Sequence, residues 1–187
     1  QYTIFFKDLN SGALLTDSIE NVTGQAVWAD DNKTVFYVLK DPETLRSAKV
    51  MKHILGTPVT EDKLVYDETD ETYSVNLGKT KSKKYITIRS DQTLTSEVRL
   101  IEASKPDGKV VVFEPRKVNH LYSVEHLNGQ FYILSNADGA KNFKLMKCAE
   151  SKTGKENWKA VIPHRTDVLL ENFEVFDKYL VADERIK

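Results

Sequence analysis

The chain has 187 residues, 40% of them hydrophobic and 29% charged, with a formal net charge of −1. That length and apolar content can build a sizeable core and exclude a disordered chain. The charge balance removes any bulk attraction to nucleic acid or an anionic membrane surface, and no apolar run approaches the roughly 20 residues that a spanning helix needs.

One cysteine, Cys148, cannot close an internal disulfide, which fits a reducing compartment and makes a cytoplasmic location the expectation. The N-terminal QYTIFFKDL lacks an initiator Met, a basic leader and a cleavage site, and reads as a strand from its first residues. The chain is therefore expected to be a piece of a longer protein.

Taken in order, the sequence is a series of short β-branched and aromatic runs with no 3.6-residue apolar period of helical length, so the expected fold class is all-β. Predicted strands span residues 2–9, 13–19, 26–30, 34–40, 49–55, 63–68, 73–77, 85–90, 97–103, 110–115, 122–127, 131–136, 144–150, 158–163, 170–176 and 179–184. Turn residues stand where the runs stop, at Asp31-Asn32, Asp41-Pro42, Asp107-Gly108, Asn128-Gly129, Asp138-Gly139 and Thr153-Gly154. Asn128-Gly129, between two alternating runs, is the strongest hairpin signal.

The runs repeat. Lys49-Val50-Met51-Lys52, Glu97-Val98-Arg99-Leu100 and Lys144-Leu145-Met146-Lys147 align at steps of 48 and 47 residues, and Lys63-Leu64-Val65, Val110-Val111-Val112 and Trp158-Lys159-Ala160 at steps of 47 and 48. Four strands per unit at this period is the signature of a β-propeller, whose blades are four-stranded sheets packed face to face. The implied register is three complete blades, at about 26–68, 73–115 and 122–163, with a half blade at 2–19 and another at 170–184. Blades buried on both faces explain runs such as TVFYVLK and VVVFEP, which are apolar at successive positions.

Several segments also carry a resemblance: Val27-Trp28-Ala29-Asp30, Gly56-Thr57-Pro58, Asp62-Lys63-Leu64-Val65-Tyr66, Thr95-Ser96-Glu97-Val98-Arg99 and Lys141-Asn142-Phe143. In order and spacing the chain resembles the propeller domain of oligopeptidase B, also called protease II, of the prolyl oligopeptidase class of serine peptidases. The resemblance implies a seven-bladed propeller that caps an α/β-hydrolase domain, excludes folded proteins, and belongs to an enzyme cleaving short peptides after Lys or Arg. The hydrolase domain, absent from this chain, would be its partner, and short basic peptides the substrates of the whole enzyme.

The chain itself offers little chemistry. No G-x-S-x-G nucleophile elbow occurs, so no catalytic residue is assigned and the fragment is expected to be inactive alone. His53, His120, His126 and His164 lack metal-ligand spacing, so neither a metal nor a cofactor is expected. Leu77-Gly78-Lys79-Thr80 ends like a phosphate loop, but Tyr73 stands where that loop needs its leading Gly. Lys79 to Lys84, KTKSKK, reads as a solvated hairpin tip and Asp67 to Glu71, DETDE, as an exposed joint. The runs at Ser135 to Gly139 and Ser104 to Gly108 depart from an Asp-box and read as turns. Trp28 and Trp158 read as core aromatics between blades, and Cys148 as a structural thiol.

On innermost strands, polar Ser74, Asn76, Ser123, Glu125 and Glu174 are the candidates for lining an axial channel, where Glu125 and Glu174 would steer cationic peptides. The alternative function is a free-standing propeller used as a protein-interaction scaffold, distinguished by whether the parent sequence continues into further blades and a G-x-S-x-G. Ile4, Phe5 and Phe6 at one end and Phe173, Phe176 and Leu180 at the other predict self-association of the isolated fragment. Val65→Asp, placing a charge between blades, is expected to destabilise by several kcal/mol.

Overall fold

A computed structural model describes residues 1–186. Among them are fifteen strands: β1 (Tyr2–Lys7), β2 (Leu14–Trp28), β3 (Thr34–Lys40), β4 (Ser47–Ile54), β5 (Lys63–Asp67), β6 (Ser74–Lys79), β7 (Tyr85–Asp91), β8 (Ser96–Glu102), β9 (Val111–Glu114), β10 (Tyr122–Leu127), β11 (Gln130–Ser135), β12 (Lys144–Ala149), β13 (Lys159–Ile162), β14 (Val168–Val175) and β15 (Leu180–Ile186). They form four antiparallel sheets in sequence order: a five-stranded sheet β1–β5, two four-stranded sheets β6–β9 and β10–β13, and the pair β14–β15. The all-β class expected from the sequence is what the structure contains.

The sheets stack in chain order because their middle strands, β3, β8 and β11, carry apolar side chains on both faces. Phe36 and Val38 of β3 join Val75, Ile86 and Ile88 of the second sheet in one core, while Val35 and Tyr37, on the alternate positions, face the other way into another. Val98, Leu100 and Phe113 of the second sheet meet Phe131, Ile133 and Trp158 of the third. Leu134 and Leu145 then turn from the third sheet to Leu170, Phe173 and Val175 of β14. Full burial of each such side chain is worth about 1.5–3 kcal/mol, so these interfaces supply most of the favourable term.

Turn chemistry acts where expected at β10–β11. Asn128 and Gly129 both take positive φ, 50° and 71°, which a two-residue hairpin loop of this twist requires. The ladder then runs without a slip from Leu127↔Gln130 to Tyr122↔Ser135.

The N-terminal end differs from the expectation. Residues 13–19 and 26–30 were to be separate strands in different blades, yet β2 is continuous from Leu14 to Trp28. Asn21 has φ 59° and the pairing slips between Val22 and Ala26, so the polar and glycine residues that resemble a loop form a bulge inside a strand. Val22, fully buried, pairs with Tyr2 on one side and Leu39 on the other. The half blade 2–19 and the blade 26–68 therefore share one sheet. The bend nevertheless carries the β1–β2 hairpin over the face of β3 and β4, where Phe6 stacks on His53 at 5.9 Å and Asp17 meets the His53 ring at 3.1 Å.

Candidate functional site

In a propeller the first strand of each blade is the innermost and its axis-facing edge has no ladder partner; β6, β10 and β14 begin their sheets in this way, and the end of β2 from Ala26 to Trp28, which pairs with β3 alone, takes the same place in the first sheet. Side chains from the neighbouring sheet fill that role here. Gln25 on β2 accepts from the Leu77 N–H at 2.8 Å and donates to Asn76 at 3.1 Å, and Glu125 on β10 accepts from the Lys81 N–H at 2.8 Å. Lys79 donates to the Trp28 carbonyl and to Asp30, both at 2.8 Å. The rim formed by β2, β6, β10 and β14 is thus tied by polar contacts that leave the apolar clusters intact.

The five channel candidates fall on this rim. Ser74, Asn76 and Glu174 are exposed and alternate with buried Val75, Phe173 and Val175, while Ser123 and Glu125 are half-buried. Ser123 lines a cleft of about 260 Å³ with Arg89, Glu171 and Asn172. Glu125 and Glu174 are not free anions: Lys81 donates its backbone N–H to the first and sets Nζ 3.2 Å from the second. Lys81 Nζ also lies 3.7 Å from the centre of the Phe176 ring. Lys81 thus pairs the charge of Glu174, while Glu125 is held by a neutral backbone donor and keeps its charge.

The KTKSKK segment forms the β6–β7 turn, as expected for a hairpin tip, but it is tied down. Lys79 pairs with Asp30, Lys81 with Glu174 and Lys84 with Glu150. Ser82 sits 2.7 Å from His126 Nδ1, whose other ring nitrogen is 3.0 Å from Glu150. Burial pushes the His126 pKa down, against the opposing pull of Glu150.

The acidic joint is exposed at Thr69, Asp70 and Glu71 as expected, and departs from its reading at Glu68. Glu68 is only 4% exposed and lies between sheets. Arg116, from the connection after β9, reaches its carboxylate at 2.6 Å and Glu97 at 3.0 Å, and Tyr66 donates to Glu68 at 2.6 Å. Burial alone would raise the Glu68 carboxyl, but hydrogen bonds from Arg116 and Tyr66 outweigh it and hold the pKa down at about 2. Arg116 and Arg99 also stack over Tyr73 and Tyr66, at 4.1 and 4.0 Å. Residues 48 positions apart (116 − 68) make this clasp, and no local pattern announces it.

Most of the other residues singled out from the sequence are buried. His53 is fully buried between Asp17 and Asp62, and Tyr37 donates to Asp62 at 2.7 Å. His120 lies 2.9 Å from Ser135. Cys148 is buried, which pushes its thiol up to about 11. Trp158 is 8% exposed, matching its core reading, whereas Trp28 is 42% exposed with one edge against Phe6. The bulged course of β2 brings Trp28 to the margin of the core.

Residues 1–187 match the family described as "Prolyl oligopeptidase, N-terminal beta-propeller domain". The chain belongs to this family. As a prolyl oligopeptidase-family propeller it is 43% identical over 185 residues to dipeptidyl aminopeptidase BI of Pseudoxanthomonas mexicana, covering 99% of this chain and 25% of that protein. It is 34% identical over 186 residues to Protease 2 of Moraxella lacunata, covering 97% and 26% respectively. The structure of oligopeptidase B from Leishmania major superposes with a TM-score of 0.92 at 30% identity, over 99% of this chain and 26% of that one. The chain thus spans about a quarter of the length of these family members. The propeller class and the resemblance to oligopeptidase B read from the sequence both hold.

Proposed function

We propose that residues 1–187 are the central part of a noncatalytic propeller that caps an α/β-hydrolase domain in a serine oligopeptidase and excludes folded proteins from its active site. The observation that carries this reading is the family match across residues 1–187. With no G-x-S-x-G in these residues, the nucleophile belongs to another part of the full-length protein, and the propeller contributes walls and an entrance. Ser74, Asn76 and Ser123, on the inner rim, line that entrance. With Glu174 paired to Lys81 and Glu125 the one of the two left without that ammonium, raising ionic strength from about 0.05 to 0.5 M lowers kcat/KM for Arg-containing peptides by no more than about threefold.

Cleavage after Lys or Arg is supported by the likeness to oligopeptidase B. A second reading, removal of dipeptides from a free amino terminus, is favoured by the 43% identity to a dipeptidyl aminopeptidase. The full-length protein, assayed on Lys- and Arg-containing peptides with blocked and free amino termini, separates the two. Cleavage of the blocked peptides after Lys or Arg supports the endopeptidase; cleavage confined to free termini, two residues at a time, supports the other. Hydrolysis of neither, in a protein whose remaining sequence has no nucleophile elbow, would overturn both and leave a propeller scaffold.

A further inference from the structure

A lysine bridges the first and second sheets. Lys52 of β4 sends its ammonium to the Pro106 carbonyl at 3.2 Å and to Asp107, both in the β8–β9 connection, and its side chain is only 11% exposed. In the repeat alignment the position of Lys52 is taken, on β8, by Leu100. Leucine is too short for such a bridge and has no donor to offer. The matching connection of the third sheet carries Thr153, one repeat step of 47 residues beyond Pro106 (153 − 106).

Between the second and third sheets an open cleft of about 360 Å³ has both Leu100 and Thr153 in its wall. Its apolar side is formed by Leu100, Tyr85 and Phe113 of the second sheet and Phe131 of the third, whose ring centre lies 5.2 Å from that of Tyr85 and 5.0 Å from that of Phe113. Val111 and Val112, 56% and 39% exposed, add to this apolar lining. Small-molecule pockets have this character: roughly 300–1,000 Å³, mostly apolar, with a few polar groups that fix orientation.

The charged residues of the lining decide what the cleft accepts. Glu150 is held by Lys84, whose Nζ lies 2.8 and 2.9 Å from its two oxygens, and Glu102 by Lys105 at 2.7 Å. Lys109 also lines the cleft, and among the described residues no carboxylate pairs with it. The uncompensated charge is therefore one ammonium beside an aromatic slot. We propose that this cleft binds a small carboxylate with an apolar body, the body against Leu100, Tyr85, Phe113 and Phe131 and the carboxylate on Lys109. Free aryl or alkyl acids and the C-terminal residue of an apolar peptide share this chemistry. Ser74, Asn76 and Ser123 take no part in the lining, so the cleft binds its ligand whether or not the peptidase reading holds.

The test is calorimetric titration of the full-length protein with hydrocinnamate, its neutral amide and N-acetylphenylalanine. Hydrocinnamate is expected to bind roughly three- to fivefold more tightly than its amide, the size of one exposed charge pair, and Lys109→Gln, at an exposed position, to remove that difference. Val112→Trp, which fills the cleft while leaving Lys109 in place, should weaken hydrocinnamate by about tenfold or more. Tighter binding of N-acetylphenylalanine than of hydrocinnamate, with the same dependence on Lys109, assigns the cleft to peptide termini, and the reverse order assigns it to free acids. No binding of either carboxylate, or binding that neither substitution changes, overturns the site.

Discussion

Glu68 illustrates how a single side chain can invert the meaning of the segment around it. Within DETDE it looks like one solvated charge among several, but its carboxylate is closed in by Arg116 and Tyr66. Its pKa falls from 4.5 to about 2, so the stabilisation is complete above pH 4.5 and is lost as pH drops through 2. Allowing for screening, the clasp contributes on the order of 2 kcal/mol. Glu68→Gln should lower neutral-pH stability by about that amount and flatten the acid limb between pH 4.5 and 2, read by urea unfolding at a series of pH values. Cys148 gives a second expectation at this scale. Its burial and raised pKa, about 11, predict that a thiol reagent labels it only after unfolding. Rapid labelling of the native protein at pH 8 would contradict the packing of the third sheet. Cys148 was readable from the sequence, since a single thiol in an apolar run needs no partner to explain it. Glu68 was not, because its burial depends on a residue in the next sheet.

At the scale of elements, the clearest sequence signals were those that a strand carries within itself. TVFYVLK becomes β3, with successive residues buried on opposite faces, and Asn128-Gly129 becomes the turn its dihedrals require. Gly129→Ala would meet no atom within 4 Å, so its cost is the positive φ alone, about 1–2 kcal/mol in thermal or urea denaturation. A similar loss from Val65→Asp would be informative in another way. Val65 is half-buried against the core between the first and second sheets, so the charge should destabilise by about 2 kcal/mol rather than by the larger cost of full burial. The misread element was β2. Asn21, Thr23 and Gly24 have loop composition, and only pairing with Tyr2 and Leu39, decided far along the chain, turns them into a bulged strand. Trp28 was misjudged for the same reason.

For the whole molecule, the spacing of the repeats made stacked sheets legible before any coordinates, because each repeat must bury its faces on its neighbours. The end sheets have neighbours on one side alone within residues 1–186. Phe5, Tyr179 and Ile186 are 65%, 74% and 80% exposed there. Residues 1–187 expressed by themselves are expected to associate through these ends as concentration rises, measured by light scattering. A monomer at every concentration would show that the polar residues around those side chains suffice to keep the ends apart.

The unbroken course of β2 has a mechanical meaning. The later sheets are connected by irregular segments at residues 68–73, 115–121 and 163–167, where no ladder continues from one sheet to the next and the join rests on the apolar clusters and side-chain contacts between sheets. Between the N-terminal hairpin and the first sheet there is no such connecting segment, because one extended backbone is hydrogen-bonded first to β1 and then to β3. Tension applied near Tyr2 is therefore passed along β2 into the first sheet.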